Sequence, residues 1–283
     1  MRTAKSLVTA LVCFAVWTLG HGSATAADRA CTFSFVKGPS LLQPASFPAS
    51  FRLAALPKGN VKITFIGHST FVLESPAGIT LATDFNGIHT PKLPPTIVTM
   101  NNSHSSHYTD VFSPKTTVVL RGWDPNGGIA KHDVKIKDMR VYNVPTNVEK
   151  FKGRLTNKNS VFVIESNGLC FAHMGQLHHV IGTNQSRALG RTDVLFIPID
   201  GLMTMSFEEV MLSINKISPK LVIPMHFFGE TDSQSFIQFL NNKFPVKATK
   251  QTSVVINRRT LPKSTEILLL NAEFWSGVAG EDR

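Results

Sequence analysis

The chain is poor in acidic residues. It carries 19 Asp and Glu against 29 Lys and Arg, a net charge of +10 over 283 residues. The bases are scattered, with no arginine-rich helix and no basic–aromatic stripe. That excludes sequence-specific nucleic-acid recognition and favours an anionic surface or an anionic small-molecule substrate. No low-complexity tract and no short-period repeat appear, which excludes a disordered linker and a solenoid. Beyond the first 20 residues no apolar run is long enough to span a bilayer. Cysteine is scarce, at three residues. What remains is ordinary globular material: 42% hydrophobic and 17% charged residues supply one good-sized core. One α/β domain, or two tightly fused halves, fits this length.

The N-terminus reads as an export signal. Arg2 and Lys5 precede the apolar run Leu7–Gly20, and Ala24-Thr25-Ala26 supplies small residues for cleavage after Ala26. The expected location is the periplasm or the exterior, with no stable membrane span after cleavage. Cleavage removes two bases and no acid, leaving +8. It also removes Cys13. Asp28-Arg29-Ala30 is not a lipid-attachment context for Cys31. Cys31 and Cys170 are left either as a disulfide, which an oxidising compartment permits, or as two separate buried thiols. Residues 27–58 read as an extended lead-in with one short helix, and 59–283 as the folded domain.

Alternation predicts strands at Val61–Ile66, Thr70–Ser75 and Ile79–Asp84, separated by Gly67-His68-Ser69 and Pro76-Ala77-Gly78. Further strands are expected at Ile97–Met100, Thr116–Leu120, Val134–Val144, Ser160–Glu165, Cys170–His173, Val194–Ile199 and Leu221–Met225. Two more close the chain near Ser253–Ile256 and Ile267–Leu270. Ser206 and Glu209 form a capping box ahead of an amphipathic helix to Ile217. A second helix is expected over Ser233–Phe244. A strand-rich first half and an alternating second half suit an αββα sandwich.

Four histidines follow or end expected strands: His104, His107, His173 and His226. Singly, each reads as a hydrogen-bonded loop residue. Together they suit a metal, because imidazole is a good zinc ligand and catalytic zinc needs three protein ligands with an open position. His89 and His132 read as surface residues.

The motifs carry a resemblance. Val61-Lys62-Ile63-Thr64-Phe65-Ile66-Gly67-His68-Ser69-Thr70, Thr83-Asp84, Asn159-Ser160-Val161-Phe162-Val163, Ala172-His173-Met174-Gly175-Gln176 and Ile223-Pro224-Met225-His226 occur in order over roughly 60–270. They resemble the metallo-β-lactamase superfamily, in the branch of ascorbate-6-phosphate lactonase and N-acylphosphatidylethanolamine phospholipase D. The resemblance implies the αββα sandwich and a metal-dependent hydrolase. The ligand motif departs from H-x-H-x-D-H. It reads Asn102-Ser103-His104-Ser105-Ser106-His107, so Asn102 replaces a histidine and Ser106 the aspartate. Gln176 replaces the bridging aspartate, and Asn147 stands where relatives can place a histidine.

With Ser106 and Gln176 the bridging charge of a two-metal site is missing. The expectation is therefore at most one divalent metal, zinc, held by His104, His107, His173 and His226. Asp200 completes the set or, like His68, accepts a proton from metal-activated water. His68 and Asp84 are expected to orient ligands, Asp84 being equally readable as a buried turn carboxylate. His179 joins Asn102, Ser106, Gln176, Asp84 and Asn147 as a pocket residue. The substrate class implied is an ester, lactone or phosphodiester. Two alternatives stand beside it: a non-catalytic binding protein with a lost metal site, and a metal-independent enzyme using His104 or His107 as acid and base.

Overall fold

A computed structural model describes residues 56–150 and 153–272, with Cys31 and Ser40–Leu41. The expected export signal and most of the expected lead-in lie outside the described residues.

Two sheets form the frame. The smaller has six strands in the order β14-β2-β3-β4-β5-β6, and the larger nine in the order β1-β7-β8-β9-β10-β11-β12-β15-β13. In the small sheet these are β2 (Val61–Gly67), β3 (Thr70–Glu74), β4 (Thr80–Ala82), β5 (Ile97–Met100), β6 (Val118–Arg121) and β14 (Ser253–Ile256). In the large sheet they are β1 (Ser40–Leu41), β7 (Asp133–Ile136), β8 (Met139–Lys150), β9 (Gly153–Ser166), β10 (Leu169–His173), β11 (Val194–Pro198), β12 (Leu221–Met225), β13 (Val246–Ala248) and β15 (Glu266–Leu269). Among the described residues the helices are α1 (Thr183–Leu189), α2 (Phe207–Ile217) and α3 (Glu230–Leu240). All lie in the second half. Turns alone link the parallel pair β5 and β6.

The sheets pack face to face through large apolar side chains. Phe71 of β3 meets Phe196 of β11 at a ring-centroid distance of 4.5 Å, and Phe65 stacks on Phe71 at 4.6 Å. Both strands belong to one continuous core with β10 and β12. Truncating Phe196 to Ala should cost about 3–5 kcal/mol, as for other fully buried phenylalanines. The strands β10, β11 and β12 are buried along their whole length. They pair in parallel, which requires crossovers. Helix α2 provides the β11–β12 crossover. Ser206 Oγ accepts from the Glu209 N–H at 3.3 Å, and Glu209 Oε2 accepts from the Ser206 N–H at 2.9 Å. The expected capping box is thus formed.

Three local expectations change. Val134–Val144 is a hairpin of β7 and β8, turned at Lys137, whose φ is +49°. The second long helix begins at Glu230, three residues early, and ends at an Asn241 in the left-handed conformation. Helix α1 and strand β13, seven and three residues long, were too short to show periodicity. Cys31 and Cys170 are joined as a disulfide across 139 positions, with Cα atoms 5.7 Å apart. The bond ties a lead-in residue to β10. Arg191 adds to it, donating through Nη2 to Cys170 Sγ and through its backbone N–H to the Cys31 carbonyl. No helix among the described residues is long and apolar enough to cross a membrane.

Candidate metal centre

The candidate site stands at the C-terminal ends of the strands, where open α/β sheets place ligands. His68 follows β2, Asp84 follows β4, His107 lies beyond β5, His173 ends β10, Asp200 follows β11 and His226 follows β12. Three of these residues have left-handed backbones: His68 (φ +52°), Asp84 (φ +46°) and His226 (φ +55°). Such conformations cost of order 1 kcal/mol or more outside glycine and persist where surrounding structure enforces them. Here each one turns a side chain off a strand end and into the site.

The structure brings together His68, His107 and His226, whose ligand atoms all lie within 4.8 Å of one another. His107 and His226 are parallel, 6° between planes and 5.2 Å between centroids, with Nε2 facing Nε2 at 3.3 Å. The His68 ring is tilted by 48° to that of His226 and by 54° to that of His107, with centroids 4.3 Å and 5.1 Å away.

Both facing rings are held from behind by carboxylates. His107 Nδ1 pairs with Asp84 Oδ2, both side chains wholly buried. Asp84 Oδ1 accepts the Asn101 N–H at 3.1 Å. Burial works against ionised Asp84, but the charge and hydrogen bond of His107 outweigh it and lower its pKa. His226 Nδ1 lies 2.9 Å from Asp200 Oδ2. Asp200 Oδ1 accepts backbone N–H groups of Leu202 (3.0 Å), Met203 (2.5 Å) and Thr204 (3.0 Å), and Oδ2 accepts the Thr204 hydroxyl at 2.6 Å. Against the opposing effect of burial, these donors and His226 hold Asp200 well below the usual carboxylate range. So anchored and so acidic, Asp200 is a poor proton acceptor. Its place is that of an orienter of His226.

A protonation argument follows. If each Nδ1–H is donated to its carboxylate, both Nε2 atoms carry lone pairs. Two lone pairs facing at 3.3 Å repel, so the contact is held either by a proton on one Nε2, as an N–H···N hydrogen bond, or by a metal cation between the rings. Tetrahedral zinc with Zn–N bonds of ~2.0–2.1 Å would hold two nitrogens roughly 3.3–3.4 Å apart. Burial, then the charges of His226 and His107, pushes His68 down to about 3, so its ring is neutral and able to ligate. The donor set fits one divalent cation, and two buried carboxylates balance its charge.

The remaining histidines lie elsewhere. His173 is fully buried, but its Nε2 donates to the Ser69 carbonyl at 2.8 Å and its Nδ1 accepts the Gly175 N–H at 3.3 Å. Both nitrogens are spent on the backbone, so His173 braces the loop behind His68 and is not a ligand in this geometry. His104 is also outside the triad. The His107 N–H bonds back to the His104 carbonyl, closing a tight turn that leaves His104 exposed, its ring 6.1 Å from that of His107. Its Nδ1 pairs with Ser106 Oγ at 2.7 Å.

Asn102 spends its amide on the backbone, donating to Lys158 and accepting from His104. Gln176 is half-buried, and its N–H donates to Asn159 Oδ1. His179 accepts the Asn147 N–H through Nε2 and faces the Val180 carbonyl through Nδ1, so these two form a local pair.

Two more residues stand beside the triad: His89, expected at the surface but half-buried, and Phe228. His89 stacks on His68 at 5.9 Å, and a Cβ at Gly67 (φ +147°) would come within 2.5 Å of its ring. Phe228, 54% exposed, lies 5.8 Å from His68 and 5.7 Å from His226. The Asn86-x-x-His89 turn, in which Asn86 Oδ1 accepts the Ile88 and His89 N–H groups, was the available signal for the first. Nothing in the sequence marked the second.

Fold and site define a two-sheet α/β sandwich with a histidine metal-binding pocket at its strand ends. A family model described as a beta-lactamase superfamily domain matches residues 62–226. The chain belongs to that superfamily, which has the metallo-β-lactamase fold. A UPF0173 protein of Pyrococcus furiosus is 22% identical over 204 residues, covering 65% of this chain and 92% of the relative. A UPF0173 metal-dependent hydrolase of Methanosarcina barkeri is 25% identical over 230 residues, covering 69% and 95%. Among solved structures, a candidate zinc-dependent hydrolase of this superfamily from Thermotoga maritima aligns with a TM-score of 0.55 at 23% identity, over 75% of this chain and all of that one. A metallo hydrolase from Ignicoccus hospitalis aligns at 0.51 and 16% identity, over 70% and 99%.

Proposed function

We propose that this protein is an exported hydrolase of an ester, lactone or phosphodiester bond, dependent on one divalent metal, zinc, held by His68, His107 and His226. The observation that carries the reading is the pair of Nε2 atoms facing at 3.3 Å with carboxylates behind both rings. That arrangement makes imidazole more basic and fixes its orientation. Names of relatives as metal-dependent hydrolases support it.

When bound, the metal polarises the scissile carbonyl or phosphoryl group and acidifies water. The chain does the rest. Asp84 and Asp200 keep His107 and His226 in the ligating tautomer. His173, donating to the Ser69 carbonyl, braces the loop that carries His68, and His89 stacks on the His68 ring. His104 stands at the exposed side with Ser106 on its Nδ1, and we assign it the proton transfer that Asp200 cannot perform. Such groups contribute typically about 10²–10⁴-fold to rate.

The test is metal analysis of untagged protein followed by turnover on a panel of esters, lactones and phosphodiesters. The reading expects one metal per chain and activity lost on chelation. A metal-free protein that stays inert after incubation with zinc, manganese and iron would overturn it. That outcome would favour the non-catalytic binding reading, to which Ser106 and Gln176 in place of carboxylates lend support.

A further inference from the structure

A cavity of 690 Å³ opens beside the triad. This is the size range of small-molecule sites, about 300–1,000 Å³. His68 is part of its wall, so cavity and triad are continuous. Phe228 also lines it while packing edge-on against His226. The deep wall is apolar: Phe65, Leu269 and Leu270 are buried there, and Phe227 and Ile237 half-buried. The polar residues Glu230, Gln234, Lys250 and Asn271 are exposed at the mouth. Phe228, 54% exposed, continues the apolar wall towards half-buried His68 and buried His226.

We propose that this cavity seats an apolar, uncharged arm of the substrate, an alkyl or aryl chain attached to the bond that lies over the triad. The inference rests on the hydrolase reading for its orientation. Bond and metal stand at His68, and the chain runs past Phe228 towards Leu269. Among the lining residues the one lysine and the one glutamate are exposed, and the half-buried hydroxyls of Ser233 and Thr249 are engaged with the Glu230 carbonyl and the Gln251 N–H, so the apolar wall offers little to a charged group. The anionic character suggested by net charge would then belong to the head of the substrate, not to this arm.

Calorimetric titration with straight-chain alkyl carboxylates of two to ten carbons tests it, on full-length metal-loaded protein and again after chelation. Affinity should rise about three- to fourfold per methylene until the cavity is full. Ile237→Trp, which fills the cavity from α3, should flatten that rise with metal content unchanged. Gln234→Trp, at an exposed position on the same helix, should shorten the longest chain accepted and guards against a folding defect in the first variant. A flat series in the unmodified protein overturns the proposal whatever the metal content. A rise with chain length that survives chelation, at lower affinity throughout, supports it. A rise that is unaltered by the metal at every length leaves the cavity in place and counts against the metal reading instead.

Discussion

The backbone N–H of His226 donates to the carbonyl of His68 at 2.8 Å. The first residue follows a strand of the large sheet, the second a strand of the small one. Both have left-handed backbones. This bond joins the sheets at the point where the two imidazoles meet, centroids 4.3 Å apart, so the site's geometry is fixed by main chain as well as by side chains.

Metal content should follow the triad. His107→Ala or His226→Ala should abolish tight zinc binding, because only two nitrogens would remain. His104→Ala should keep one metal per chain while lowering turnover by about 10²-fold or more. Elemental analysis with steady-state kinetics separates the two effects. Loss of metal in the His104 variant, with retention in the His107 variant, would replace the triad with a different ligand set. Two tightly held metals in the unmodified protein would defeat the argument from charge balance.

Asp84→Asn keeps shape but presents an amide that can no longer accept on both arms. His107 is then free to move its proton to Nε2 and stop ligating. Zinc affinity should fall about 10–100-fold, as for other orienting partners. Competition with a chromophoric chelator measures it. An unchanged affinity would show that Asp84 serves only the fold.

Acid should destabilise the metal-free protein through His173. Burial, only partly offset by Asp84 and the Ser69 carbonyl, pushes this imidazole down to about 4. Its unfolded value is about 6.5. The unfolded chain therefore binds the extra proton first as pH falls, and stability is lost between about 6.5 and 4. The full loss is up to about 3 kcal/mol. Melting temperatures across this window, for the unmodified chain and His173→Gln, should diverge at high pH and converge at low pH. Parallel curves would remove His173 as the cause.

Reduction should weaken the fold. A loop closed over 139 positions is long, and a native disulfide of this kind contributes about 2–4 kcal/mol. Thiol titration under denaturing, non-reducing conditions should find no free thiol in a chain that begins at Ala27. Cys31→Ser with Cys170→Ser should lower the midpoint of denaturant unfolding. Equal midpoints would mean the bond is idle.

Export is checked by N-terminal sequencing of protein recovered from its native host. The expected first residue is Ala27. A mature chain beginning at Met1 would end that reading.

Much of the frame was legible because short apolar runs are bounded by turn and capping residues. Val61–Ile66, Leu221–Met225 and the Ser206–Glu209 box read as they fold. The site was legible only in part. His104 and His107 are three apart, a spacing that places both near one point but cannot say which faces inward. The turn closed by the His107 N–H decides it. His173 ends a strand buried on both faces, so alternation gives no inward side, and its two hydrogen bonds to main chain are invisible in sequence. His68 looked like a helper because a residue breaking a strand is usually a turn. Its left-handed backbone makes it a ligand candidate. Lys137, with no glycine beside it, gave no warning of a hairpin.

The disulfide also has a topological consequence. His68 and His107 lie inside the covalent ring from Cys31 to Cys170, and His226 lies outside it. A single proteolytic nick anywhere within that ring leaves one molecule, not two fragments. A protein exposed to extracellular proteases would keep all three histidines tethered after such a cut. On a denaturing gel, nicked chains should run as one band until a reductant is added.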